Sequence, residues 1–219
     1  MTPELAEALN AMFDAKVPPT WLFTPGGDEF SWLSPTLGLW FTSFVARDLQ
    51  YRTWLESTRP VVYWMTGFSN PQGFLTAMRQ EVTRRHQADK WALDEMVFHN
   101  EVTDHTQWDK VKKPPSEGVF IRGLFLDGCG WSKQENTLVE SEPKQLFAAI
   151  PVLYVTAVTN AQKKAKASEF GPFGGYECPC YKYPSRTDYQ LIFTVSMATR
   201  DMRPAHWIMR GVALLCSTD

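Results

Sequence analysis

Cys178-Pro179-Cys180 is where two metal- or redox-competent side chains stand closest together in this sequence. Residues two apart in an extended strand project to one face, so both thiols can point the same way. A structural zinc site needs four ligands, usually from two spaced pairs, and neither Cys129, Cys216 nor the four histidines supply a second pair at ligand spacing. The pair reads as part of a proline-interrupted edge strand, with a metal or redox role as the sharper alternative. His86, His99, His105 and His206 could each act as a general base, but none lies beside a G-x-S-x-G nucleophile elbow. They read as polar or partly buried histidines. The glycines of GLFLDGCGW (123–131) and FGPFGG (170–175) match neither a phosphate loop nor a dinucleotide fingerprint, so they read as turns and bends.

Charge and aromatic patterning offer a different chemistry, that of recognition. In LGLWFTSFVARDLQYRTWLES (37–57), helical spacing puts Leu37, Trp40, Phe41, Phe44, Tyr51 and Leu55 on one broad face. Asp48 falls inside that face and Arg52, four residues on, at its margin. An unpaired carboxylate there is costly, so the two should pair with each other or with a neighbouring surface. FSNPQGFLTAMRQEVTRRH (68–86) has an apolar stripe of Phe74, Leu75, Met78 and Val82, while Arg79, Arg84 and Arg85 diverge around the axis. Cations in a last turn are stabilised by the helix dipole, and Glu81 precedes Arg85 by four residues. The arginines therefore suit a helix end without an acidic ligand; contact with a neighbouring module is the alternative.

The elements that position these residues follow from punctuation. Thr2-Pro3, Ser34-Pro35 and Asn70-Pro71 each set a capping side chain before a proline, predicting helices over Pro3–Lys16, Pro35–Ser57 and Pro71–Lys90. After Trp91 six apolar runs predict strands: Leu93–Val102, Gly118–Gly128, Pro151–Val158, Tyr176–Tyr183, Tyr189–Met197 and His206–Cys216. The segment 159–175 reads as a short exposed helix or loop whose lysines form a solvated face. The expected fold is α+β, a helical subdomain over 1–91 followed by a six-stranded antiparallel β-barrel over 92–219.

With 219 residues, a net charge of −2 and nine tryptophans, the sequence has neither a nucleic-acid footprint nor an apolar run long enough for a membrane span. Its acidic, amphipathic N-terminus is unlike a secretion signal, so a soluble intracellular protein with free thiols is expected.

Several separate stretches resemble one family. RDLQYRTWLESTRPVVYWMTGFSNPQGFLTAMRQ, PPSEGVFIRGLFLDGCGWSKQENTLVESEPKQLFAAIPVLYV, YECPCYKYPSRTD and HWIMRGVALLC resemble, in order, the C-terminal domain of dynein heavy chains, from about Trp21 to the end. NPQGFLTA and RGLFLDG look closer to axonemal than to cytoplasmic chains, in an outer-arm style. GCGW and YQLIFTVSMATRDMRPA depart from the family pattern.

The resemblance implies a cap on an ATP-driven, minus-end-directed microtubule motor whose six AAA+ modules form a ring. Its C-terminal segment packs across one ring face, helical part first and barrel part second, bracing the ring and tuning force and processivity. On this reading Met1-Thr2 begins an expressed fragment of a far longer protein. ATP and Mg belong to the full-length protein, and no catalytic, cofactor or metal residue is expected here. The expected partners are the AAA+ modules, with microtubules, intermediate chains and light chains reached through the whole protein, in the axoneme of a cilium or flagellum. Trp40, Phe41, Phe44, Asp48, Arg52, Arg79 and Arg84 are the candidate ring-docking or structural residues. Two rival classes remain: a small-ligand-binding barrel lined by Trp131, Trp207 and Tyr154, and a hydrolase built on one of the histidines.

Overall fold

The computed structural model describes residues 2–27, 29, 31–56, 59–166, 170, 175–200 and 202–218. Two of the three proline start signals work as their spacing predicts. Thr2 Oγ1 accepts from the Leu5 N–H at 3.3 Å to open α1 (Pro3–Phe13), and Asn70 Oδ1 accepts from the Gly73 N–H at 2.8 Å to open α3 (Pro71–Arg85). The third signal is displaced: α2 (Leu37–Glu56) begins two residues after Pro35, because Thr36 Oγ1 takes the Leu39 N–H at 3.3 Å. The far ends stop short of prediction, at Phe13 and Arg85, where Ala15 and Lys90 turn into the left-handed region at φ 55° and 57°. The predicted end of the second helix, Ser57, lies outside the described residues.

Contacts divide the protein into two units, one of residues up to Arg59 with Gly67–Ser69, the other of Pro60–Thr66 with Asn70–Thr218. The first holds α1 and α2. The second holds β1 (Val62–Trp64), α3, and all remaining strands: β2 (Met96–Val102), β3 (Val119–Arg122), β4 (Phe125–Asp127), β5 (Gly130–Ser132), β6 (Thr137–Val139), β7 (Phe147–Ala149), β8 (Leu153–Thr159), β9 (Tyr176–Tyr181), β10 (Leu191–Met197) and β11 (Ala213–Leu215). Helices α4 (Asn160–Lys166) and α5 (Pro204–Met209) are short connectors in the same unit. The apolar stripe of α3, with Leu75, Met78 and Val82 buried, packs against β8, β2 and β10.

The fold is mixed α+β, and the described strands do not close into the single six-stranded antiparallel barrel expected. They form a four-stranded sheet ordered β1-β3-β8-β2, a five-stranded sheet ordered β10-β9-β11-β4-β7, and the hairpin β5-β6, with β1/β3 and β9/β11 pairing in parallel. Four of the six predicted runs become single strands, β2, β8, β9 and β10. The run Gly118–Gly128 instead splits at Gly123 into β3 and β4, which belong to different sheets. Gly123 sits at φ +82°, where a Cβ would lie 2.6 Å from Trp64 Cδ1, so the backbone redirects there only for want of a side chain. The run His206–Cys216 is also corrected: its first part is α5, opened by Pro204 at N1, and only Ala213–Leu215 is strand. A continuous apolar run has no period by which to separate helix from strand. The strands β1, β5, β6 and β7, three residues each, are too short to show alternation and were not predicted. Of the segment 159–175, Asn160–Lys166 is helical as expected, while most of FGPFGG lies outside the described residues.

At their edge strands β2 and β10 the four- and five-stranded sheets are joined by a buried side-chain hydrogen-bond pair. Asn100 of β2 donates from Nδ2 to the Ser196 carbonyl of β10 and accepts on Oδ1 from the Ser196 N–H, both at 2.8 Å and both buried. The carboxamide reproduces the donor and acceptor of a strand neighbour where no ladder forms. Phe98 and Phe193 pack edge to face beside it, with centroids 6.1 Å apart.

Candidate docking surface

Helix α2 buries only Trp40 and Arg47 among its described residues. Trp40 is the centre of an aromatic stack: Trp32 lies parallel to it at 5.0 Å, Phe44 parallel at 5.6 Å, and Trp21 tilted at 5.3 Å. Phe41 meets Trp40 edge-on at 5.4 Å. Offset and edge-to-face contacts of this kind add about 0.5–1.5 kcal/mol per pair beyond area burial. Arg47 closes the stack, its guanidinium carbon 4.1 Å above the Trp32 ring and its Nε donating to Ser43 Oγ at 3.2 Å. Sequence reasoning missed both Arg47 and Trp32. Arg47 was detectable, since it follows Trp40 by seven residues and Phe44 by three and so shares their face. Trp32 precedes the helix and has no periodic signal.

The wheel's broad apolar face is therefore only partly covered. Phe41 and Phe44 are each about half exposed, at 46% and 47%, and Leu39, Val45, Leu49 and Leu55 are exposed as well. Asp48 does not lie in the covered face: it accepts from Arg52 Nε at 2.8 Å as an i,i+4 pair with both side chains largely in solvent. Such a pair contributes about 0.3–0.5 kcal/mol. In α1, Leu5, Leu9 and Phe13 form a second exposed apolar stripe, and no residue of that helix is buried.

The arginines of α3, in the other unit, have three different environments. Arg79 lies over the Phe98 ring at 5.5 Å, with its Nε buried and unbonded. Arg85 pairs with Glu81 at 2.5 Å and donates to the Ser116 carbonyl at 2.7 Å. Arg84 lines an open cavity of about 610 Å³ together with Gln80, Thr83, Gln87, Trp91 and Leu93. The helix end is completed by His86, stacked on Trp91 at 3.9 Å, with Nδ1 hydrogen-bonded to Asp89 at 2.9 Å and Nε2 to Glu117 at 2.7 Å. The Asp89 hydrogen bond first, and Glu117 with it, raise the His86 pKa against the opposing effect of burial.

The other chemistry-bearing groups are engaged internally. His99 is buried and 3.1 Å from the Glu101 carboxylate, which Lys166 also reaches; the His99 hydrogen bond is the main reason the Glu101 pKa is lowered. His206 bonds Glu140 at 2.8 Å. Among the described residues, the ring nitrogens of these histidines bond carboxylates or a lysine, with no hydroxyl or thiol partner. Cys178 and Cys180 share one face of β9, as their spacing predicts, and both are fully buried; the expected edge strand is corrected, because β9 lies between β10 and β11 with both sides paired. Burial pushes Cys129 up to about 12 and Cys178 upward too, while a hydrogen bond with Cys216 leads the rise at Cys180. Thiolate chemistry is disfavoured at all three. The three residues proposed to line a barrel pocket are not gathered. Trp207 is buried on α5, and Tyr154 gives its hydroxyl to the Glu117 carbonyl at 3.1 Å. Trp131 lines a cavity of about 360 Å³ with Glu101, Glu135 and Met197.

A family described as the C-terminal domain of the dynein heavy chain matches residues 1–216. The protein belongs to this family. Its dynein relatives include human dynein axonemal heavy chain 8, 47% identical over 216 residues, and mouse dynein axonemal heavy chain 5, 46% identical over 216. Each alignment takes in 99% of the present sequence. The gamma chain of the flagellar outer arm of Chlamydomonas reinhardtii is 44% identical over 217 residues, or 98% of the sequence. The sequence spans about 4% of the length of these dynein heavy chains.

Proposed function

We propose that this protein is the C-terminal cap of an axonemal dynein heavy chain of outer-arm type, packing on the AAA+ ring and modulating a microtubule motor in ciliary or flagellar beating. The single observation that supports this best is its family membership, with 44–47% identity to axonemal chains over nearly its whole length. The exposed apolar face of α2 supports it physically, because contiguous apolar patches on a protein surface mark sites that another surface covers. Residues 1–91 and 92–219 together would make one such domain.

On this reading the mechanism is mechanical. Trp40, stacked under Trp32 and Phe44, sets the orientation of Phe41 and Phe44, whose exposed edges supply the apolar contact with a ring module. Asp48 and Arg52 place a charged pair beside that contact, and Arg79 and Arg84 serve as structural or docking cations on the other unit. Ring movements during ATP turnover are then resisted or transmitted through the cap. ATP and Mg act in the full-length protein, as do contacts with microtubules, intermediate chains and light chains. The cap itself has no catalytic role, and contacts neither nucleic acid nor membrane. Among the described residues, no helix is long and apolar enough to cross a membrane.

The test is to delete this segment from an axonemal heavy chain and measure gliding velocity and stall force. Altered values are expected; unchanged values would overturn the regulatory reading.

A further inference from the structure

Arg122 ends β3, paired in register with Trp64 of β1. Its guanidinium carbon lies 4.0 Å from the Trp108 ring centroid and 5.9 Å from that of Trp64, so the cation is in contact range of two indoles. Among the described residues, five arginines have a carboxylate in contact: Arg52 with Asp48, Arg85 with Glu81, Arg186 with Asp127, Arg200 with Glu135 and Arg210 with Glu140. Arg122 has no ion pair or side-chain hydrogen bond to any described residue, and its Nε is buried without a partner. Burial alone lowers its pKa, with no acidic group to offset the loss of water.

The surroundings are packed on the sheet and positive. Trp108 opens a single turn, Trp108–Lys110, closed by the Val111 N–H on the Trp108 carbonyl at 3.2 Å. Val111 is buried against Val62 and Val152, which pins the turn to the four-stranded sheet. The Trp108 ring is 48% exposed, and Lys110, Lys112 and Lys113 follow it in solvent with no ion pair among the described residues. Asp109 is the one acid in this stretch and does not reach Arg122. A partly buried guanidinium within reach of two tryptophan rings and without an ion pair among the described residues has the makings of an interface anchor.

We propose that Trp108 and Arg122 anchor a binding surface for an extended acidic segment of a separate partner protein. One carboxylate of that segment accepts from the Arg122 guanidinium, an apolar neighbour covers the Trp108 ring, and Lys110, Lys112 and Lys113 attract the remaining acids. Nucleic acid fits less well, since Asp109 directly precedes the three lysines and the protein as a whole is net negative. The surface belongs to the second unit and shares no residue with α2.

The test is fluorescence anisotropy of the 219-residue protein with a labelled alternating Glu-Ala dodecapeptide, its Gln-Ala counterpart and a labelled uridine decamer. The Glu-Ala peptide should bind and the Gln-Ala peptide should not. Arg122→Met and Trp108→Ala should each weaken binding about tenfold or more, as expected for a charge-assisted contact, while Lys133→Met in the β5-β6 turn leaves it unchanged. Arg122→Lys keeps the charge and guards against misfolding as the cause; it should bind at intermediate strength. Absence of Glu-Ala binding, equal loss in Lys133→Met, or tighter binding of the uridine decamer would each overturn the proposal.

Discussion

Replacing Asn100 with alanine removes the side chain that hydrogen-bonds the edge strands of the two larger sheets to each other. Its carboxamide makes two buried hydrogen bonds of 2.8 Å to the same backbone residue, Ser196, and both residues are almost fully shielded from water. Alanine deletes both bonds and leaves an N–H and a C=O of β10 without partners in a region where water does not replace them. Each net hydrogen bond is worth about 0.5–1.5 kcal/mol and each orphaned group costs about 1–3 kcal/mol. Partial relaxation of the strand recovers some of this, so a loss of about 2–4 kcal/mol is expected. In a protein of this size each kcal/mol lowers the melting temperature by about 2–4 °C. Urea denaturation of the wild type and the variant gives the stability difference, and amide hydrogen exchange at Ser196 locates it. A loss below about 0.5 kcal/mol with unchanged Ser196 protection would refute the view that Asn100 stands in for a strand pairing.

Three further outcomes follow from the same kind of argument. His86 has its pKa raised by Asp89 and Glu117, so its stabilisation is fully present below about pH 6.5 and is lost as pH rises through the higher folded value. His86→Gln should therefore cost more stability at about pH 6 than at about pH 9 in matched denaturation curves; equal costs would contradict the clamp. Gly123→Ala forces a side chain into a positive φ and against Trp64, and should destabilise by about 2 kcal/mol or more in thermal melts, whereas a neutral result would mean the bend is not strained. Arg47→Ala exposes the Trp32 ring and removes packing as well as charge, with an expected loss of about 1–2 kcal/mol and a changed tryptophan emission; an unaltered spectrum would deny the contact.

What was readable in the sequence was local. The Thr2 and Asn70 caps, the stripe of α3, the shared face of Cys178 and Cys180, and the four strands β2, β8, β9 and β10 all rest on periodicities of a few neighbouring residues, whereas the interior place of β9 in its sheet does not. The partition of strands among sheets was not readable, because it is decided at single points such as Gly123 and by a long-range bond such as Asn100 to Ser196, ninety-six positions apart. The candidate docking residues divided in the same way. The Asp48–Arg52 pair followed from i,i+4 spacing, but its place outside the covered face did not, since the residue that covers the face, Trp32, lies in an irregular segment. Arg122 drew no attention in the sequence, because what singles it out is a tryptophan fourteen residues earlier and the absence of an ion pair to any described residue.

The central claim, that the exposed α2 face is the docking face of a dynein cap, can be measured directly by hydroxyl-radical footprinting. The modification rates of Phe41 and Phe44 are compared between the isolated domain and a complete axonemal heavy chain that includes it. Both rings, half exposed in the isolated domain, should become strongly protected in the complete motor. Equal modification in the two states would contradict the docking claim.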